Sequence, residues 1–389
     1  MSRGNAEPLG PVAEPARLGR YRLLRKIAVG GMAEIFLARV SGVGGFEKDV
    51  VVKRILPQLA ENDEIFAMFQ DEARIAATLQ HPNLVQIYDA GQIGSNFFIA
   101  MEYLDGADLH TVRRVLAERQ RGIPLQHAVF IVSSIGSGLH YAHEKRGFNG
   151  EPLVIVHRDV NPQNVFVTRE GGVKLVDFGI AKATNRISTT LYGTLKGKLP
   201  YMSPEQCRAE PVDRRSDVYS LGVLLYEVTT GRRPYSGRSE YELLRDIVEG
   251  EVPLPTQVAP GYPPDLEAIA LRALARDREA RYPDALTMVQ ELEHFARRHE
   301  LVGSTLAMAE FLAPVLDEAQ RQTELRQHNR MSSAPPPPAE PELDAEPWDC
   351  AGADRLQTLA AILGRKQERA GGPRPATAEP EPEAERSVA

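Results

Sequence analysis

The sequence predicts an α+β fold in two lobes, a small antiparallel β-sheet lobe with one main helix followed by a larger, mostly α-helical lobe, with disordered tails. Three observations carry that expectation. Apolar and polar residues alternate through residues 21–54 around glycine-bearing turns, the spacing becomes helical from about residue 108, and a proline-rich, low-complexity stretch, MSSAPPPPAEPE, fills 331–342.

Taken in order, YRLLRKIAVGGMAEIFLARV and DVVVKRIL read as three antiparallel strands. EIFAMFQDEARIAATLQ repeats apolar residues at helical spacing, and after the breaker HPN come two more strands, LVQIYDAG and FFIAMEYL. HAVFIVSSIGSGLHYAHEK, VYSLGVLLYEVTT, YELLRDIVEG and DLEAIALRALA read as helices, with short strands only around VFVT and VKLVDFG. The expected organisation is a disordered segment at 1–18 and a catalytic-sized unit at 19–298, divided at 104/105 into the two lobes. A helical extension at 299–330 and a largely disordered tail at 331–389 follow, the tail carrying a short helix at 353–367 with Leu356, Leu359 and Leu363 on one face.

Composition narrows the function classes. At 389 residues with 42% hydrophobic content, the chain can build sizeable cores, and a formal charge of −7 gives no overall attraction to nucleic acid or anionic membrane. Any polyanion must be met by a local site, and ATP fits that description. Cys207 and Cys350 match no metal spacing and suit a reducing cytoplasm. The first residues lack the apolar core of a signal peptide, and VYSLGVLLYEVTT at 218–230 is too short to span a bilayer. A cytoplasmic, membrane-free location is therefore expected.

Several short motifs carry chemistry. IAVGGMAEIF at 27–36 lies between two strands, where a glycine-bearing loop can cover phosphates, although alanines stand at 28 and 33 and leave Gly30 and Gly31. Alanine reaches positive φ less easily than glycine, so a stiffer loop is expected. Lys53 ends an apolar strand on the side of Val51, and Glu72 on the following helix is its expected acidic partner. HRDVNPQN at 157–164 places Asp159 five residues before Asn164, just ahead of a strand, and VDFG ends another strand with Asp177. Ser203-Pro204-Glu205, Asp217 at the start of a buried helix, and Arg281 as a buried partner for Glu205 complete the series.

In this order and context, the motifs IAVGGMAEIF, VVVKRIL, HRDVNPQN, DFGIAK and YMSPEQ make residues 21 to about 298 resemble the eukaryotic-like serine/threonine protein kinases of bacteria. The resemblance implies the bilobal protein-kinase fold and transfer of the γ-phosphoryl of ATP, with Mg2+ or Mn2+, to protein hydroxyls. It implies a nucleotide site from Ile27, Ala28, Val29, Gly30, Gly31, Ala33, Ile35, Val51, Lys53, Glu72 and Phe166. Met101 would be the gatekeeper, Glu102 and Leu104 the hinge, and Asp108 a ribose contact. Asp159 would handle the acceptor proton, and Asn164 and Asp177 would hold metal. Arg158 implies an activation segment ordered by phosphorylation, with Thr189, Thr190 and Thr194 as candidates and the chain itself, in trans, as one protein substrate.

Two positions depart from the family pattern. The usual catalytic-loop lysine is Asn161, and a usual Gly-Thr pair is Gly197-Lys198. One reading is an exchange in which Lys198 reaches back beside Asp159 and supplies the cation while Asn161 bonds the Asp or the substrate hydroxyl. Under the other, Lys198 pairs with an activation-segment phosphate or faces solvent. The departures also motivate an alternative from a different class, a pseudokinase acting as a scaffold; the paired metal ligands argue against it.

Overall fold

The computed structural model describes residues 17–56, 59, 69–70, 73–94, 96–147, 149–178, 198–237 and 239–331. Glu72, Thr189, Thr190, Thr194 and Gly197 lie outside them, as does the short helix expected at 353–367.

The first lobe is a six-stranded antiparallel sheet in the order β1-β2-β3-β4-β6-β5, formed by Arg17–Leu18, Tyr21–Val29, Ala33–Ser41, Glu47–Ile55, Ile87–Ile93 and Asn96–Glu102 (β1 to β6). Strand periodicity sorts its two faces. Val50, Val52, Phe98 and Ala100 pack on one side with Leu23, Phe36 and Ala38. Val51, Ile55, Ile99 and Met101 face the other, against Phe69, Ala73 and, from the second lobe, Val176. Alternation thus points Lys53 toward the interlobe side, with Ile35 as its cross-strand partner.

The β2–β3 turn is closed by the Gly30 N–H donating to the Ala33 carbonyl at 2.8 Å. Ala28 sits within β2 and Ala33 opens β3, and neither has a positive φ. In this conformation neither position requires glycine.

The chain enters the second lobe through a three-stranded sheet, β7 (Gly106–Asp108), β8 (Val165–Thr168) and β9 (Val173–Leu175). Gly106 is required there, because a Cβ would lie 2.0 Å from the Val167 carbonyl oxygen. The helices are α1 (Leu109–Glu118), α2 (Leu125–His143), α3 (Pro204–Cys207), α4 (Arg214–Thr230), α5 (Glu240–Glu249), α6 (Pro255–Val258), α7 (Pro264–Ala273), α8 (Ala285–Arg298) and α9 (Thr305–Met331). α4 is buried nearly all round and is the axis of the lobe. Asp213 caps its start, and Gly231, at φ 75°, ends it in the left-handed conformation.

α9 buries Met308, Leu312, Val315, Leu316 and Ala319 in the main core of this lobe, at helical spacing. It also pairs Asp317 with Arg169 and Glu318 with Arg119. Its first turn approaches Gly171 so closely that a Cβ there would lie 1.8 Å from the Thr305 carbonyl oxygen. No helix among the described residues is long and apolar enough to cross a membrane.

Candidate active site

The site forms where the second face of the large sheet meets the segment from His157 to Phe178. The segment is anchored from below by Asp217, in the first turn of α4 and fully buried. Its carboxylate accepts from the backbone N–H groups of His157 at 2.7 Å and Arg158 at 2.8 Å, and bonds His143 Nε2 at 2.8 Å. Burial would raise the Asp217 carboxyl, yet these partners hold it below the usual range. They also fix Arg158 at φ 65°, a strained conformation for a non-glycine residue. Sequence reading marked Asp217 but missed His143, which hides on the buried face of α2.

Asp159 follows, its side chain 7% exposed. The Asn164 amide donates to the Asp159 carbonyl at 2.8 Å and to its Oδ2 at 3.0 Å. The Asn164 backbone carbonyl accepts from the Val176 N–H at 2.8 Å, while among the described residues its side-chain oxygen is left for another partner, as a metal ligand requires. Asn161 donates to the Asp159 backbone carbonyl at 2.9 Å and accepts from the Gln163 N–H at 2.9 Å. It therefore bonds the Asp159 main chain and not its carboxylate. The carboxylate meets Lys198, whose Nζ lies 2.5 Å from Asp159 Oδ2. The exchange reading of Lys198 has its required geometry.

Lys53 Nζ reaches Asp177 Oδ1 at 3.0 Å, joining the end of β4 to the DFG stretch across the lobes. Asp177, like Arg158, has a positive φ, 55°. Burial would raise its carboxyl, but Lys53 and, in addition, Lys198 hold it below the usual carboxylate range. Asp159, Asn164 and Asp177 thus converge around one cleft with two lysines. Among the described residues no group of three or more His, Cys, Asp or Glu could cage a metal ion alone. An Asp–Asn pair of oxygen ligands fits Mg2+, which takes one or two carboxylates and completes its shell with phosphates and water.

At the hinge, Glu102 N–H donates to the Gln86 carbonyl at 2.9 Å, while its side chain pairs with Lys174 at 2.8 Å. Met101 is buried in β6 behind the site. Asp108 is already engaged: its carboxylate accepts from the Thr111 N–H at 2.8 Å and hydroxyl at 3.1 Å, capping α1. A ribose would have to share it.

Below the site, Glu205 and Arg281 form the expected buried pair, with two bonds of 2.8 and 2.9 Å and a third to Glu205 from the Ser216 hydroxyl. Against the cost of burial, Arg281 and Ser216 bring the Glu205 carboxyl down to about 2. Gln206, which the sequence did not single out, donates from Nε2 to the Arg158 carbonyl at 3.1 Å and couples α3 to the catalytic loop. The Arg158 guanidinium makes no ion pair among the described residues, and burial lowers its pKa. Cys207 is a bystander, its thiol pushed up to about 12 by burial.

This arrangement of a lysine on a strand, a looped Asp with its Asn, and an Asp at the end of β9 defines a phosphotransferase site on a two-lobed fold. The sequence model of the protein kinase domain matches residues 21–294, and the chain belongs to the protein kinase family. It is 44% identical to the tyrosine-protein kinase MasK of Myxococcus xanthus, over 78% of this chain and 47% of that protein. It is 38% identical to the serine/threonine-protein kinase PknB of Mycobacterium leprae, over 70% of this chain and 42% of that protein. The chain thus spans less than half the length of these two relatives. With the serine/threonine-protein kinase PknL of Mycobacterium tuberculosis it shares 33% identity, over 90% of this chain and 84% of that protein. Among solved structures, the PknI kinase domain of Mycobacterium tuberculosis superposes with a TM-score of 0.55 at 26% identity, over 73% of this chain and 99% of that one. The family generally uses ATP and Mg2+.

Proposed function

We propose that the chain is an active protein kinase that transfers the γ-phosphoryl of Mg-ATP to serine and threonine hydroxyls of proteins, including its own activation segment. The observation that carries this reading is the simultaneous presence of Lys53–Asp177 and Lys198–Asp159–Asn164 around one cleft. A scaffold has no need to keep such a set assembled.

Asp159 orients the acceptor hydroxyl and takes its proton as the acceptor O–P bond forms and the bond from the γ-phosphorus to the β,γ-bridging oxygen breaks, with ADP as the leaving group. Lys53 would steer the α and β phosphates, and Asp177 with the Asn164 side-chain oxygen would hold the metal. When bound there, Mg2+ would supply positive charge against the negative charge that develops during transfer. Lys198 supplies the cation at the transferring group that the family ordinarily draws from position 161, while Asn161 holds the loop that presents Asp159. Arg158 awaits a phosphate on the activation segment.

MasK is named for tyrosine, whereas PknB and PknL are named for serine and threonine. The decisive experiment incubates the purified chain and its Asp159→Ala variant with labelled Mg-ATP and with peptides offering Ser, Thr or Tyr. Mass spectrometry then maps the sites. Label on Ser and Thr that depends on Asp159 supports the proposal. Label confined to Tyr overturns the acceptor class, and nucleotide binding without Asp159-dependent label makes the chain a pseudokinase.

A further inference from the structure

Beside the catalytic loop lies a cleft of about 620 Å³, lined by Asn161, Pro162 and Gln163 from that loop, Tyr201 just after Lys198, and residues of α1, α4 and the α4–α5 connection. Among the described residues its charged lining is uneven: Arg113, Arg232 and Arg233 stand against a single carboxylate, Glu227, with His110 also present. In a chain of formal charge −7, this local excess of cations is conspicuous.

Glu227 does not offset it toward a ligand, because its carboxylate is already in use. The side chain is 5% exposed and pairs with Arg113 at 2.6 Å and Arg233 at 3.8 Å. Its other oxygen accepts from the Tyr201 hydroxyl. Burial and Glu227 both push the Tyr201 phenol far above its ordinary value, so it remains a donor. A basic side chain entering the cleft would find no free carboxylate and three guanidinium groups. Arg232 is exposed and makes no ion pair among the described residues, and Arg233 is exposed with only its long contact to Glu227.

We propose that this cleft selects acidic residues flanking the acceptor hydroxyl, so that the protein substrates are acidic around their phosphorylation sites. The inference rests on the protein-kinase reading and deepens it, since the cleft shares residues 161–163 with the loop that presents Asp159. An aspartate or glutamate of the bound peptide meets Arg232 and Arg233 at the rim, where charge complementarity sets selectivity between peptides more than total affinity. Like-charge contact disfavours a basic peptide.

The test is a positional-scanning peptide library with a fixed acceptor, phosphorylated by the full chain under labelled Mg-ATP, with Asp159→Ala as blank. The readout is the ratio of acidic to basic residues among labelled peptides at each flanking position. We expect an acidic preference of about fivefold to tenfold at one or more positions, weakened by salt. In Arg232→Glu/Arg233→Glu that ratio should fall below one. Because the unaltered chain alone reveals the preference, a misfolded variant does not rescue the idea. Asp159-dependent label with no acidic preference, or with a basic one, overturns the inference and leaves the kinase reading intact. Absence of any Asp159-dependent label removes both.

Discussion

Lys198 Nζ and Asp159 Oδ2 stand 2.5 Å apart although 39 residues separate them in sequence. The contact bridges the catalytic loop and the segment that leads into the Ser-Pro-Glu turn. It places a cation beside the carboxylate that our proposal makes the proton acceptor, while Asn161 makes hydrogen bonds within the loop.

Replacing Lys198 by Thr is therefore expected to lower phosphoryl transfer by about 10²- to 10³-fold, the usual loss when one preorganised donor disappears. ATP binding should change by less than about twofold, since this interaction acts on the transition state. Steady-state kinetics with a fixed peptide would reveal the split. Asn161→Lys/Lys198→Thr should recover at least about tenfold over the single variant; no recovery means the cation has not simply changed places.

Asn161→Ala removes a donor to the Asp159 carbonyl and an acceptor for the Gln163 N–H at a site 2% exposed. The cost is about 1–3 kcal/mol, for leaving buried partners unsatisfied. In a unit of this size each kcal/mol lowers Tm by roughly 2–4 °C. Thermal unfolding measures the loss, and an unchanged Tm would show that the Asn161 bonds add nothing to the stability of the loop.

The Glu205–Arg281 pair should govern acid stability. Glu205 is depressed to about 2 from its ordinary 4.5, so its contribution is fully present above pH 4.5 and drains away as pH falls toward 2. Arg281→Met leaves a buried carboxylate without its cation and should destabilise by about 3–5 kcal/mol at neutral pH. Denaturant titrations at several pH values would show that gap narrowing as pH falls through this window. A constant gap would place the pair's effect elsewhere.

Chelation with EDTA should abolish labelling, and excess Mg2+ should restore it. Asp177→Asn removes the single carboxylate in the pair of metal ligands and should raise the Mg2+ needed for half-maximal rate by at least about tenfold. Rates unaffected by chelator would contradict the assignment of Asn164 and Asp177.

Much of this was legible in sequence because period and punctuation are local properties. The alternation of Val50, Val51 and Val52 reappears as two faces of one sheet. Lys53, Asp159, Asn164 and Asp177 were recognisable by spacing and are brought together around one cleft. What escaped was long-range. Nothing near Gln206 in sequence announces that its amide reaches Arg158, and Glu227 looked like an interruption in an apolar helix until Arg113 and Tyr201 closed on it. Ala28 and Ala33 stand where motif reading looks for glycine, and the backbone angles there do not require it.

The seating of α9 has a practical consequence for anyone who cuts the molecule. The family match stops at residue 294, yet the core continues through Met308, Leu312, Val315, Leu316 and Ala319. A fragment trimmed to the matched boundary would present a freshly opened apolar trench to solvent, prone to self-association whatever the state of its catalytic residues. Poor behaviour of so short a fragment would report on the tailoring of the gene, not on the enzyme.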